Sequence, residues 1–135
     1  MKELKVKALL ESIPAVTEFI DAELEALDCP MKAQMQIDVA IDEMFSNIAH
    51  YAYENEVGDA IVRFGFDADT RTASIVFEDN GISFDPLAKA DPDVTLNADE
   101  RGIGGLGIFL VKKTMDRVEY RREDGRNILT IEKRI

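Results

Sequence analysis

The sequence is short of cysteine, histidine, basic charge and long apolar runs, and each shortage removes a class of protein. A single cysteine, Cys29, allows no disulfide within the chain, and with one histidine, His50, there is no Cys/His cluster to hold a metal. No apolar run reaches the roughly 18 residues of a membrane-spanning helix, and no basic, apolar export segment opens the chain. Sixteen Lys and Arg against 27 Asp and Glu leave a net charge of −11, the wrong sign for a protein that works by neutralising nucleic-acid phosphates or anionic lipid. The P-loop string G-x-x-x-x-G-K-[ST] is missing, and Ser, His and Asp form no interpretable catalytic triad. What is present is a chain of 135 residues, 46% of them hydrophobic. That length buries roughly 68% of the unfolded surface and suits one domain over 1–135 rather than two. The expectation is a soluble, cytoplasmic, acidic α/β domain with no direct nucleic-acid or membrane partner.

Hydrophobic periodicity divides the chain into elements. Leu4, Val6 and Ala8 alternate with Lys5 and Lys7, which predicts a short strand over Met1–Ala8. Ser12 offers a helix N-cap with Pro14 in the first turn, and Val16, Phe19, Ile20, Leu24 and Leu27 follow at helical spacing, predicting a helix over 13–27. A second helix begins near Asp28–Pro30 and runs to Tyr53, with an apolar stripe of Ile37, Ile41, Met44, Ile48 and Tyr51. Ala60, Val62, Phe64 and Phe66 alternate, and after a turn over 67–71 a second alternating run ends at Asp79, so the two form an antiparallel hairpin. A stretch without periodicity, Phe84–Gly104, reads as a lid or binding loop. A helix over 106–115 and strands over 118–122 and 127–131, joined at Asp124-Gly125, complete the order.

Three constellations carry candidate chemistry. Glu43 and Asn47 lie four apart on the second helix and share a face that also holds Ala40. They are either a solvated hydrogen-bonded pair or a working pair, with Glu43 accepting a proton from an attacking hydroxyl and the Asn47 oxygen helping to hold Mg²⁺. Asp79 continues the inward row of Ala73, Ile75 and Phe77, and a carboxylate there must find donors. It either caps the turn Asp79-Asn80-Gly81 or accepts from the exocyclic amine of adenine, with Gly81 letting backbone approach the ring. The cluster Gly102-Ile103-Gly104-Gly105-Leu106-Gly107 opens into a helix, where consecutive backbone N–H groups make an anion site suited to phosphate, or else serve as a hinge. Its G-x-G-x-x-G string lacks the preceding hydrophobic strand of a dinucleotide fold, because Ala98-Asp99-Glu100-Arg101 stands there. His50 and Cys29 read as structural residues, and Lys112 and Lys113 as a solvated face, with Lys112 able to lean toward phosphate.

In this order, Glu43-Met-Phe-Ser-Asn47, Asp79-Asn-Gly81-Ile-Ser-Phe-Asp-Pro86 and Arg101-Gly-Ile-Gly-Gly-Leu-Gly107 resemble the three boxes of the GHKL ATPase superfamily. The resemblance covers roughly Asp28–Ile135. Within the superfamily the chain looks like the small bacterial anti-sigma factor serine/threonine-protein kinases, whose E-x-x-x-N is followed by an A-Y pair, here Ala52-Tyr53. Two positions depart from the pattern: Ser83 stands where many members carry a second Gly, and Asn127 about where relatives place a Thr near the adenine.

The resemblance implies a Bergerat-type ATP-binding fold, an α+β two-layer sandwich whose mostly antiparallel mixed sheet is covered on one face by helices, with ATP and Mg²⁺ between the helix layer and a lid. Glu43 then matches the catalytic carboxylate and Asn47 the Mg²⁺-binding amide. Asp79 and Gly81 match the adenine site, and Gly102, Gly104, Gly105 and Gly107 the phosphate loop. It further implies a kinase that binds a sigma factor, phosphorylates a serine of a STAS-domain anti-anti-sigma protein, and can form a homodimer. A non-catalytic, nucleotide-gated binding module and a plain ATP hydrolase are the alternatives. The net charge is compatible with a nucleotide, because Mg²⁺ and oriented backbone amides supply a local positive potential that a basic surface otherwise would.

Overall fold

A computed structural model describes residues 1–54, 56–88 and 106–135 of the chain. Its strands are β1 (Lys2–Lys7), β2 (Asp59–Asp67), β3 (Thr72–Asp79), β4 (Arg117–Glu123) and β5 (Arg126–Arg134), and its helices α1 (Ile13–Ala26), α2 (Met31–Tyr51) and α3 (Leu106–Thr114). The strands form one sheet in the order β1-β2-β3-β5-β4. Every pairing in it is antiparallel, so the expected mostly antiparallel mixed sheet is antiparallel throughout the described residues.

The core lies between one face of this sheet and the helices. Val62, Phe64, Ile75, Phe77, Leu129 and Ile131 from the sheet pack against Val16, Ile20 and Leu24 of α1, Ile37, Ile41, Met44, Phe45 and Ile48 of α2, and Val111 of α3. Period 2 on the strands and about 3.6 on the helices turn these residues to a common side, and each large side chain buried there stabilises the fold by roughly 1.5–3 kcal/mol. On the opposite face of the sheet the charges pair with one another: Arg63 with Glu3 at 2.9 Å and with Glu78 at 3.3 Å, and Arg126 with Glu78 at 3.1 Å.

Register places the polar end of β3. Val62 pairs with Phe77 and Ala60 with Asp79, while on the other side Leu129 pairs with Phe77 and Asn127 with Asp79. The inward row of β3 therefore ends on a carboxylate that has an amide as its cross-strand neighbour. The β4–β5 turn at Asp124-Gly125 has φ of 52° and 76°, the two positive values that a two-residue primed turn requires.

The boundaries differ from the periodicity in places that have physical reasons. Ser12 stands before α1 but lies in the helical region at the end of a 3₁₀ turn, Leu10–Ser12, and its side chain caps nothing; Pro14 does occupy the first turn. α2 starts at Met31, after Pro30, and stops at Tyr51 rather than Tyr53; just past its end the Ala52 carbonyl, one of those a helix end leaves free, accepts from Ile82 N at 2.8 Å. Tyr51 is consequently half-exposed, stacked on Phe84 with ring centroids 4.7 Å apart, rather than part of the core stripe. Of the expected loop over Phe84–Gly104, the part from residue 89 onward lies outside the described residues.

One contact between α1 and α2 is out of keeping with an apolar helix interface. Asp21 Oδ1 and Asp38 Oδ1 are both closed off from solvent with no donor facing them among the described residues, so a hydrogen bond between the two carboxyls needs a proton on one of them. Burial, then the hydrogen bond and charge of Asp21, then the charge of Glu25, push the Asp38 carboxyl up to about 7. Its folded value thus exceeds its ordinary value of 3.8, so the folded state holds a proton that the unfolded chain releases, and this contribution to stability declines as pH rises from about 4 to about 7. Asp38→Asn supplies a donor at every pH. Relative to wild type it should gain stability on going from pH 5 to pH 8, measured by urea unfolding at both; a pH-independent difference would exclude the shared proton.

Candidate functional site

The end of β3 and the end of α2 meet at the turn that follows Asp79. Asp79 is 3% exposed. Its Oδ1 accepts from Gly81 N at 2.8 Å and from Asn127 Nδ2 at 2.9 Å, so both hydrogen bonds it takes from described residues fall on one oxygen. The carboxylate therefore does cap its own turn, and Oδ2 keeps its accepting capacity. Burial raises the Asp79 carboxyl above its ordinary range, opposed by the Asn127 and Gly81 hydrogen bonds and the Arg122 charge.

Gly81 is required by a contact different from the one its sequence position suggests. A Cβ there would lie 2.1 Å from the Ala52 carbonyl oxygen and 2.5 Å from its carbon, so the missing side chain lets the turn close on the C-terminal end of α2. The junction is reinforced by Tyr53, whose hydroxyl donates to Asp59 O at 2.8 Å and accepts from Asn80 N at 2.9 Å. Arg122 adds a bond from Nη1 to Gly81 O at 2.8 Å. This turn forms one wall of a cleft of about 500 Å³ that Tyr53 and Arg122 also line.

Glu43 and Asn47 sit on α2 at the edge of its buried stripe, both half-buried. They are not a carboxylate–amide pair: Asn47 Nδ2 donates to the Glu43 backbone carbonyl at 2.9 Å, which leaves Asn47 Oδ1 as the outward hard oxygen. The Glu43 carboxylate instead lies against the start of α3, where a Cβ on Gly107 would be 1.9 Å from Glu43 Oε2. Burial, and secondarily the charge of Asp42, raise the Glu43 carboxyl above its ordinary value. Gly107, the last glycine of the cluster, is thereby brought onto the Glu43 carboxylate. Gly102, Gly104 and Gly105 lie outside the described residues.

The profile of the family described as Histidine kinase-like ATPase domain matches residues 6–133. The chain belongs to this family. Among curated relatives, the Serine-protein kinase RsbW of Bacillus cereus (strain AH187) is 32% identical over 95 residues, which are 67% of this chain and 58% of that protein. The match thus spans little more than half the length of that relative. The Serine-protein kinase RsbW of Bacillus mycoides (strain KBAB4) is 25% identical over 131 residues, 94% of this chain and 81% of the relative. A solved structure, the histidine kinase domain from the Erythrobacter litoralis EL346 blue-light activated histidine kinase, superposes with a TM-score of 0.59 at 14% identity, covering 90% of this chain and 60% of that one. It is a likeness of fold.

ATP is the ligand that membership of this ATPase domain family implies. Mg²⁺ fits the residues present in one specific way. Among the described residues no group of three His, Cys, Asp or Glu can hold a metal, and the hard oxygen that the Asn47 side chain offers is Oδ1. One neutral oxygen suits a Mg²⁺ that takes most of its remaining ligands from phosphates and water.

Tyr53, Tyr120, Arg122 and Asn127 join these residues; the resemblance had already marked Tyr53 in the Ala52-Tyr53 pair and Asn127 as a position near adenine, whereas Tyr120 and Arg122 were not candidates from sequence. Asn127 had a signal, since Asn127, Leu129 and Ile131 form an inward row that opens on a polar residue, just as the β3 row ends on Asp79. The three others act through hydroxyl and guanidinium groups on half-buried or exposed positions, which periodicity does not mark. Cys29 is a half-buried free thiol whose pKa burial raises, consistent with a structural role. His50 is exposed in the last turn of α2, and Lys113 lies over the Phe109 ring, 5.4 Å from its centroid.

The two described glycines of the site should respond differently to alanine. Gly81→Ala sets a Cβ against backbone, which cannot swing away, and should cost about 1–3 kcal/mol in urea unfolding. Gly107→Ala meets only the end of a flexible side chain, gains helix propensity, and should stay within about 1 kcal/mol of wild type. It should also expel the Glu43 carboxylate toward solvent, so that the Glu43 titration, followed by carboxyl carbon NMR, falls toward the ordinary range. An unchanged Glu43 titration would show that the two groups are not in contact.

Proposed function

We propose that the chain is an ATP- and Mg²⁺-dependent protein-serine kinase acting as an anti-sigma regulatory factor: it phosphorylates a STAS-type anti-anti-sigma protein and binds a sigma factor. The observation that carries the reading is the approach of the Glu43 carboxylate to Gly107 at the start of α3, with Asn47 one helical turn further along α2. The Glu43 carboxylate, the Asn47 oxygen on the same helix and Gly107 at the mouth of α3 are the base, cation ligand and phosphate-loop end that γ-phosphoryl transfer needs. The similarity to the two RsbW kinases supports the choice of a serine acceptor and of this regulatory class. A cytoplasmic location and a homodimer belong to the same reading; among the described residues no helix is long and apolar enough to cross a membrane.

In this reading Asp79 Oδ2 accepts from the 6-amino group of adenine, while the N-terminal end of α3 and the glycine run before it stabilise negative charge on the phosphoryl oxygens. Mg²⁺, when bound, neutralises charge on the phosphates. Glu43 orients the acceptor serine hydroxyl and takes its proton as the serine oxygen bonds to the γ-phosphorus. The bond from that phosphorus to the β–γ bridging oxygen breaks, and ADP leaves with the electron pair. A carboxyl with a raised pKa is the better proton acceptor for this step, provided the pH lies above that value.

Incubation with labelled ATP and the STAS-domain protein tests the reading. Glu43→Ala should keep ATP binding and slow transfer by roughly a hundred- to ten-thousandfold. Asn47→Ala should weaken binding of Mg-ATP more than of free ATP, by calorimetry with and without the metal. Transfer by Glu43→Ala at the wild-type rate would remove Glu43 from the chemistry. Unlabelled serine with intact nucleotide binding would favour a nucleotide-gated binding module instead.

A further inference from the structure

Asn127 is the most heavily bonded side chain of the described site. It is 3% exposed and faces Asp79 across the β3–β5 pair. Its Nδ2 donates to Asp79 Oδ1 at 2.9 Å and to Ile82 O at 2.7 Å. Its Oδ1 accepts from Tyr120 Oη at 2.6 Å, Arg122 Nη1 at 3.0 Å and Phe84 N at 3.4 Å. An amide nitrogen has two protons and an amide oxygen two lone pairs, so no capacity is left for a ligand. The orientation is also forced: a guanidinium and a backbone N–H can only donate, so the oxygen must face β4 and Phe84, and the nitrogen must face Asp79 and Ile82.

We infer that Asn127 is a positioning residue of the nucleotide pocket: it never touches the base, but fixes the rotation of the Asp79 carboxylate so that Oδ2 alone reads it, and binds the 82–84 segment to that carboxylate. The inference rests on the nucleotide reading above and deepens it. Asp79 Oδ1 already holds two hydrogen bonds, from Gly81 and Asn127, and Oδ2 is the oxygen left to accept from a 6-amino group. Without the Asn127 donor only the Gly81 N–H holds the carboxylate, which is then free to turn. Arg122 acts one step further out, since its Nη1 both orients the Asn127 amide and grips Gly81 O. A 6-oxo base sets an acceptor against the fixed Oδ2, so base selection depends on the carboxylate staying fixed.

The groups facing Asp79 define a pH signature. They are the Asn127 amide on β5, the Arg122 guanidinium on β4, Glu78 on its own strand, and the Tyr53 hydroxyl from the segment after α2. Burial raises Asp79 and the Asn127 hydrogen bond opposes it, so removing that bond raises Asp79 further. The ionised carboxylate is the stronger acceptor, and the pH below which ATP binding fades should move upward.

The full chain is titrated with ATP and with its 6-oxo analogue ITP between pH 5 and pH 8. Wild type should prefer ATP. Asn127→Leu should bind ATP roughly ten- to a hundredfold more weakly, lose most of the ATP-over-ITP preference and shift its acid midpoint to higher pH. If Asn127→Leu does not fold, Tyr120→Phe, which strips one donor from Asn127 Oδ1 and leaves both Asp79 and the Arg122 charge that acts on it in place, should move preference and midpoint the same way by a smaller factor. Weaker binding with wild-type preference and midpoint would assign Asn127 to structure alone and overturn the inference. Failure of wild type to bind ATP would overturn the nucleotide reading itself, which keeps the two outcomes apart.

Discussion

The burial of the Asp79 carboxylate is the constraint on which the site depends. A charge at 3% exposure at the end of a core row is costly unless donors surround it, and the surrounding architecture meets that demand. β5 must lie beside β3 in the register that brings Asn127 opposite Asp79, and the chain must turn tightly enough for Gly81 N to reach the same oxygen. The turn can close only because Gly81 has no side chain to meet the Ala52 carbonyl. One desolvated carboxylate thus ties together a sheet register, a turn and the end of a helix.

The same junction connects the two halves of the candidate chemistry. α2 carries Glu43 and Asn47 in its middle and ends at Ala52, whose carbonyl is taken by Ile82 N. A displacement of that helix end moves the turn after Asp79 with it. At the other side, Glu43 reaches Gly107 at the start of α3, so α2 links the turn after Asp79 to the start of α3. The acidic character of the chain does not oppose the proposed nucleotide site, since in that proposal the groups offered to an anion are backbone amides rather than a basic surface.

Much of this was legible in the sequence because it rests on short-range rules. Alternation in β2 and β3 put Asp79 in an inward row, the four-residue spacing put Glu43 and Asn47 on one helix face, and Asp124-Gly125 announced a primed turn that has both positive φ values. Partnership was not legible. The Glu43–Asn47 spacing suggested a side-chain pair, yet Asn47 bonds the Glu43 backbone and the carboxylate goes to Gly107. Gly81 suggested close approach to a ring, and the sequence did not show that the place of its missing Cβ is met by the Ala52 carbonyl. Ser12 suggested a cap that a preceding 3₁₀ turn makes unnecessary.

The sequence by itself determined the domain's class, the order of its elements and most of its core, because periodicity and turn chemistry act within a few residues of one another. Only the tertiary structure decided which atoms meet. The Asn127 amide, 48 positions from Asp79, the Arg122 guanidinium, 41 from Gly81, and the Asp21–Asp38 carboxyls on separate helices are brought together by strand register and helix packing. Hydrogen-bond saturation, and with it the oxygen of Asp79 that remains for a base, is a property of that assembled geometry, and no local pattern in the chain encodes it.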